Sequence, residues 1–372
     1  MKTSHYEKKW IWENKNFPNF IYDKQPLEEL FYKFGNLNMI DSFMNHSNSK
    51  EFLSEILINE AISTSAIEGE LLQRSSIRSS INKLLKLDLE EDSYDSTIQS
   101  DALVQIILDT KNNDAKLDKK RLCSWHKALF PTGQSGLKEI IVGEYRKDLE
   151  DMQIVSGSWE KEKVHYIAPK AKDIPKLMED FLKWINEENE INYIYKSMIA
   201  HLYFLLIHPF DDGNGRIARA ICDYVLAKGK LANADFYSIS SSIHSKRKEY
   251  YQVLDNTCTN TSLDINEWIR WNIKLYEESI SSSLEKINTV KLKTNFYSKI
   301  QNKKLNDRQK KAIQKMLALL PEDFEGGMKV KKYMNITKAT RVTANRDLSN
   351  LVEQNIMEKH GLARATFYTL VF

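Results

Sequence analysis

The chain has 372 residues, of which 42% are hydrophobic and 28% charged, with a formal net charge of +3 at pH 7; this is the composition of an ordinary soluble chain of two or three domains. No apolar run approaches the ~20 residues that cross a bilayer, and the opening MKTSHYEKKW lacks the apolar core of a secretory signal, so a cytoplasmic protein without membrane contact is expected. Cys123, Cys222 and Cys258 are scattered and odd in number, which argues against a disulfide framework and against a cysteine-based metal site.

Twelve glycines and seven prolines are few, and helical periodicity runs through most of the sequence, so the expected fold class is mainly α. Residues 1–100 read as an N-terminal helical region. It opens on an aromatic cluster, Trp10, Trp12, Phe17, Pro18, Phe20 and Tyr22, read as hydrophobic packing. A helix is predicted from about Lys50 to Glu68, with Phe52, Leu53, Ile56, Leu57, Ala61 and Ile62 at helical spacing and Gly69 as its C-terminal cap. Thr64 and Glu68 lie four apart and share a face.

Residues 101–295 read as a helical bundle. Within it, Tyr195 to Ile207 is strongly apolar and helix-like, and Pro209 ends that helix at His208. Apolar spacing resumes at Ile217, Ile221, Val225 and Leu226, predicting a second helix that ends near Gly229. Segment 281–304 is polar and basic and reads as a helical connection. Residues 303–372 resemble a separate winged-helix domain. Asp307 would cap a helix over Ala312, Ile313, Met316, Leu317 and Leu320, stopped by Pro321, and a short helix would follow near Val330 to Met334. Thr337 would cap a third helix with Val342, Leu348, Leu351 and Val352, and Ile356-Met357 and Thr366 to Phe372 would be strands around a Gly361 turn. This part holds 14 Lys and Arg against 7 Asp and Glu. With Lys338, Arg341 and Arg346 projecting from the third helix it fits a DNA reader, though such domains also bind proteins.

The loop between the two central helices reads HPFDDGNGRIAR, from His208 to Arg219. The second helix starts at its glycine-bracketed turn, where free backbone N–H groups and the helix dipole favour an anion. Arg216 adds a planar fork of donors suited to phosphate oxygens. Asp212 is a carboxylate of the kind that holds Mg²⁺ together with substrate phosphates. His208 has an ordinary pKa near neutrality, which suits a general base.

This string resembles the Fic family signature HPFx(D/E)GNGRxxR, with every specified position filled. The resemblance implies a helical bundle that transfers AMP from ATP to a Ser, Thr or Tyr hydroxyl of a target protein, with ATP as substrate and Mg²⁺ as metal. It implies that His208 deprotonates the target and Phe210 anchors the loop. Asp212 would hold Mg²⁺, and Gly213, Asn214 and Gly215 would form the anion hole. Arg216 would bind phosphate and Arg219 the γ-phosphate. Asp211, at the unspecified position, is read as a solvated loop acid. Glycine rather than lysine at Gly213 favours AMP transfer over the phosphate transfer of Doc-like relatives.

Thr64 to Gly69 resembles the family's inhibitory pattern (S/T)xxxE(G/N). Glu68 would then pair with Arg219 and compete with the γ-phosphate. Gly143 to Arg146, followed by Met152, Gln153, Ile154, Val155, Ser156 and Gly157, resembles the stretch leading into the target-binding flap. Arg247 to Tyr251 resembles the helix beside the adenine pocket, with Tyr250 as a contact; an asparagine common in relatives is Cys258 here, flanked by Asn256 and Asn260. The resemblance also implies a homodimer as an assembly to test, and it leaves removal of AMP through the inhibitory glutamate open. Two other readings stand beside it. One is a DNA-binding regulator using residues 303–372 with the nucleotide site as sensor. The other is a target-binding adaptor with an inactive site, which the intact His208, Asp212 and Arg216 disfavour.

Overall fold

The computed structural model describes residues 9–43, 46–86, 95–147, 150–156, 163–188, 190–230, 236–320 and 326–372, with only the backbone described for 40–43, 46–51, 156 and 364. Gly157 of the expected flap and Pro321 of the expected helix stop lie outside the described residues. The described chain is mainly helical, with three short antiparallel hairpins. It divides into two compact units, one up to Ser281 and one from Ser282.

The first unit holds α1 (Glu28–Phe43), α2 (His46–Ile67), α3 (Arg74–Leu85), α4 (Ile98–Asn112) and α5 (Lys119–Leu129). Two hairpins follow, β1 (Gln134–Ser135) with β2 (Lys138–Glu139), and β3 (Gln153–Ser156) with β4 (Lys163–Ile167). Then come α6 (Ile174–Asn186), α7 (Tyr193–Ile207), α8 (Asn214–Lys228), α9 (Ile239–Ser245), α10 (Arg247–Cys258) and α11 (Asn266–Ile300), which crosses the unit boundary. Helix α7 is buried at every residue from Ile194 to Ile207. A helix apolar on all sides must be enclosed, and α7 is the core of this unit. Helix α8 packs along α7, and α2 packs on α3, α4, α8 and α9. Leu57, Ile58 and Ala61 of α2 interlock with Ile77 and Ile81 of α3 and Leu103, Val104 and Ile107 of α4. The N-terminal aromatics pack as expected: Trp10 meets Tyr166 edge-on, and Phe17 and Phe20 meet Tyr203 edge-on.

The second unit contains the end of α11, then α12 (Asp307–Leu317), α13 (Val330–Thr337), α14 (Arg341–Glu353), β5 (Met357–His360) and β6 (Phe367–Leu370). Strands β5 and β6 pair antiparallel, and Met328 bridges to Tyr368. Several details differ from the sequence expectation. Asn306, not Asp307, caps α12, because its side chain accepts from Gln309 N while the Gln309 side chain reaches back, a reciprocal box. Leu320 lies beyond the end of α12. Thr340, not Thr337, caps α14; Thr337 ends α13, where its hydroxyl bonds to the Tyr333 carbonyl. Lys338 is left-handed at the end of α13 and so does not project from α14. Val342 is on α14 but 80% exposed, on the solvent side of that helix.

Candidate active site

The twelve-residue loop is held in shape by groups far away in sequence. Residues before proline usually adopt extended backbone, yet His208 is left-handed, with φ 52° and ψ 58°. Such a conformation is unfavourable for a non-glycine residue. It persists because Arg146 clamps it: Arg146 Nε donates to the His208 carbonyl at 2.8 Å, its Nη2 donates to the Pro169 carbonyl, and its backbone N–H donates to Pro209 O at 2.9 Å. Phe210 is fully buried and stacks on the His126 ring, centroids 4.2 Å apart. Asn214 closes the loop, its Oδ1 accepting from Phe210 N at 3.0 Å and its Nδ2 donating to Phe210 O at 2.7 Å. The Asn214 side chain is therefore spent on the loop, and only its backbone could serve an anion.

His126 has a defined tautomer. Its Nδ1 accepts from Gly143 N at 3.0 Å, so Nε2 carries the proton and donates to the Asp212 carbonyl at 3.1 Å. Burial pushes His126 down to about 4, which keeps the ring neutral. His208 is half-buried at the cleft floor. Its Nδ1 lies 3.3 Å from the Leu205 carbonyl, an acceptor only, so the proton sits on Nδ1 and Nε2 keeps a free lone pair. Burial pushes this ring down to about 4 as well; Arg146 acts in the same direction, and Glu68 and Asp212 oppose it.

The N-terminus of α8 brings the other groups together. Gly213 has φ 78°, and a Cβ there would come within 2.8 Å of the Phe130 ring, so only glycine fits. A Cβ on Gly215 would overlap Glu68 Oε1. Asp212 Oδ1 accepts from Gly213 N at 2.5 Å, and its Oδ2 accepts from Ser135 Oγ. Asp211, read as a solvated acid, instead accepts from Ile141 N at 2.8 Å. Arg219 is buried and donates Nε to Thr64 Oγ1 and Nη2 to the Thr64 carbonyl and Glu68 Oε1, each at 2.8 Å. Burial works against the Arg219 charge, but Glu68, with Tyr250 and Tyr251, raises its pKa above the ordinary value. Arg216 donates Nη1 to Glu70 Oε2 at 2.6 Å and lies over the Phe130 ring. Arg216 Nε and Arg219 Nη1 are buried and have no hydrogen-bond partner among the described residues. Buried cationic N–H groups of that kind fit phosphate oxygens.

A cleft of about 640 Å³ opens over His208 and Gly215 and is also lined by Glu68, Ile154, Val155 and Tyr250 among others. Strand β3 pairs with β4 in register Gln153↔Ile167 and Ile154↔Tyr166, with an irregularity after Ile154. Its other edge is unpaired among the described residues. The hairpin is anchored where it meets the site: Tyr166 Oη donates to the Leu206 carbonyl at 2.6 Å, and His165 Nδ1 lies 2.7 Å from Asp255 Oδ2 on α10. Tyr250 lines the cleft but is itself buried among Tyr251, Trp268 and Trp271, with its hydroxyl 3.2 Å from His201 Nε2. Tyr251 is more exposed, and its hydroxyl donates to Ile67 O, at the end of α2. Cys258 lines the cleft, whereas Asn256 and Asn260 bond to Glu267 and to the Asp264 carbonyl. Sequence reading missed His126 and Glu70 as site residues, and it held Arg146 and Tyr251 only within longer matching stretches without a role of their own; each works through a partner distant in the chain. No group of three or more metal-ligating side chains is found among the described residues. A single carboxylate at Asp212 still fits Mg²⁺, which takes much of its shell from phosphate and water.

Comparison with known proteins places this arrangement. Residues 116–226 match the Fic/DOC family, and residues 10–87 match a domain of unknown function, DUF4172. A probable protein adenylyltransferase of Aquifex aeolicus is 35% identical over 75 residues, covering 20% of this chain and 23% of that protein. The protein adenylyltransferase Fic of Drosophila grimshawi is 22% identical over 213 residues, covering 54% and 41%. The chain thus spans less than half the length of these curated relatives. A solved Fic family protein from Desulfovibrio desulfuricans superposes with a TM-score of 0.50 at 18% identity, covering 95% of this chain and 98% of that one. A Fic-domain signaling protein from Bacteroides thetaiotaomicron gives 0.51 at 16% identity, covering 70% and 97%. No described helix is long and apolar enough to cross a membrane. The loop from His208 to Arg219, the α7–α8 pair that carries it and the segment leading into it all fall within residues 116–226 or border them, so this stretch is similar to the Fic/DOC family and its helical fold is of the Fic type.

Proposed function

We propose that this chain is a protein adenylyltransferase that moves AMP from ATP to a Ser, Thr or Tyr hydroxyl on a target protein. The observation that carries this reading is one convergence. A neutral imidazole with a free Nε2 stands beside a helix N-terminus bearing two arginines, under an unpaired strand edge. Relatives named protein adenylyltransferases support it. In this mechanism the target chain pairs with β3, which fixes its backbone while tolerating varied sequence. His208 Nε2 accepts the hydroxyl proton. The freed oxygen bonds to the α-phosphorus, the bond from that phosphorus to its bridging oxygen breaks, and pyrophosphate leaves. The N–H groups at the start of α8 face the charge that builds on the phosphate oxygens, and Arg216 and Arg219 hold the remaining phosphates. Mg²⁺ held by Asp212 and phosphate oxygens would neutralise charge on the leaving group.

Glu68 and Thr64 form the brake in this reading, since they occupy the Arg219 guanidinium that the γ-phosphate needs. The decisive experiment supplies α-labelled and γ-labelled ATP to the Glu68→Gly protein. Label should pass to protein from the α position only, faster than with wild type. Transfer of γ-label would mark a phosphotransferase instead, and no transfer of either label to any protein would remove the transferase reading.

A second proposal concerns residues 303–372. Three helices followed by a hairpin support a winged-helix reading, and Arg341 and Arg346 of α14 are both exposed. Random-sequence duplex DNA should be bound with a steep salt dependence if this face reads DNA; salt-independent or absent binding leaves a protein-interaction module.

A further inference from the structure

We propose that Glu70 is a second inhibitory carboxylate, acting on Arg216 as Glu68 acts on Arg219; this rests on the transferase reading above. The pattern (S/T)xxxE(G/N) stops at Gly69 and assigns Glu70 nothing.

The local backbone explains why two acids reach the same place. Helix α2 ends in a reciprocal cap: Glu70 N donates to Ser65 O at 3.0 Å and Gly69 N donates to Ala66 O at 3.1 Å. Gly69 has φ 89°, the left-handed residue on which such a cap turns. The chain therefore reverses between the two glutamates. Their targets, Arg216 and Arg219, are three apart on α8 and so lie on one face of that helix. Glu68 reaches the second arginine at 2.8 Å and Glu70 the first at 2.6 Å. One helix terminus thus clamps both guanidinium groups that would hold the phosphates.

The two contacts differ in how easily they open. The Glu68 side chain is 30% exposed, whereas the Glu70 side chain is 47% exposed and borders a second cavity of about 530 Å³, also lined by Ser65, Ser76, Thr97 and Arg216. Glu70 can swing into that space without α2 moving. Ser65 Oγ and Arg216 Nε, both buried and both without a hydrogen-bond partner among the described residues, belong to residues lining the same cavity. Glu70 is therefore the contact that yields first when phosphate competes for Arg216, and Glu68 the one that must be displaced by moving the helix end.

The test measures ATP affinity by calorimetry and transfer of α-label in the full chain. Glu70→Gln keeps the shape and removes the charge. It should tighten ATP binding by about three- to tenfold, the scale of one partly exposed ion pair, and it should do so again in a Glu68→Gly background. The gain should vanish when Arg216→Ala is added. Thermal melting of each variant separates this from a structural tether, which would lower the melting temperature without tightening ATP binding. Glu70→Ala serves as a second variant. If ATP affinity is unchanged by Glu70→Gln in both backgrounds while α-label is still transferred, the proposal falls and the transferase reading stands. If the Glu70 variants bind ATP more tightly but no variant transfers α-label, Glu70 competes for phosphate and the transferase reading falls.

Discussion

His208 combines two properties that rarely occur together, a left-handed backbone and a ring pushed down to about 4 by burial. The low value means that the imidazole is already unprotonated at neutral pH, as the base proposed above must be. The rate should therefore hold from neutral pH down to about 5 and fall about tenfold per unit below about 4; a fall beginning near 6.5 would show that the ring is not desolvated in solution. The same shift bears on stability. An unfolded histidine titrates near ~6.5, above the folded values of His208, His126 and His201, the last at about 3. Stability from these neutral rings is complete above that unfolded value. It declines as the pH falls from about 6.5 through the folded values, so melting temperature should drop over that range. Arg146 belongs to the same scale. Its guanidinium donates to the backbone carbonyls of His208 and Pro169, and it acts as a positioning residue. Arg146→Lys keeps a cation but loses the fork. We expect kcat to fall roughly a hundredfold, as for a misplaced base, with ATP affinity within a few-fold. Equal losses in affinity and kcat would point to collapse of the loop instead.

At the scale of elements, the site depends on how helices end. Helix α7 ends at a histidine, α2 at a glycine between two acids, and α8 begins at a glycine with φ 78°. The ends of α7 and α2 have their carbonyls taken by Tyr166, Arg146, Tyr251 and the chain's own turn, and each end brings a side chain, His208 or Glu68, to the cleft. In the second unit the corresponding feature is a buried acid. Asp347 on α14 accepts from Arg308 Nε at 2.8 Å, Tyr333 Oη at 3.0 Å and Asn306 Nδ2 at 3.2 Å, tying α12, α13 and α14 together. Burial alone would raise its pKa, but bonds from Arg308, Tyr333 and Asn306 hold it below the ordinary carboxylate value. Its contribution is present above the unfolded carboxylate pKa and is lost as the pH falls through the lower folded one. Asp347→Asn should cost about 1–3 kcal/mol and lower the melting temperature of this unit at neutral pH. An unchanged melt would mean that the network is incidental.

At the scale of the whole molecule, the second unit has its own core, built from Ile313, Met316, Leu348, Leu351, Ile356 and Tyr368 among others. A fragment of residues 282–372 should fold with helical circular dichroism and a cooperative melt; a non-cooperative melt would show that this core is not self-sufficient. The sequence alone determined the mainly helical class, the α7–loop–α8 unit and the capped end of α2. Each is encoded locally, by apolar periodicity, by Pro209 and by glycines at turns, and all the expected phosphate-handling groups fall within twelve consecutive residues. It did not determine how that loop is held. Arg146 reaches His208 across 62 residues, His126 reaches Asp212 across 86, and Glu70 reaches Arg216 across 146. The same limit explains the misplaced caps of α12 and α14, where neighbouring Asn306 and Asp307, or Thr337 and Thr340, are equally plausible in a one-dimensional pattern and only hydrogen-bond geometry separates them. Tyr250 likewise reads as a ligand contact or as core until His201 and Trp268 are seen around it. Periodicity and turn chemistry act over a few residues and are written in the chain, whereas contacts made by long side chains between helices depend on packing, which only the folded molecule decides.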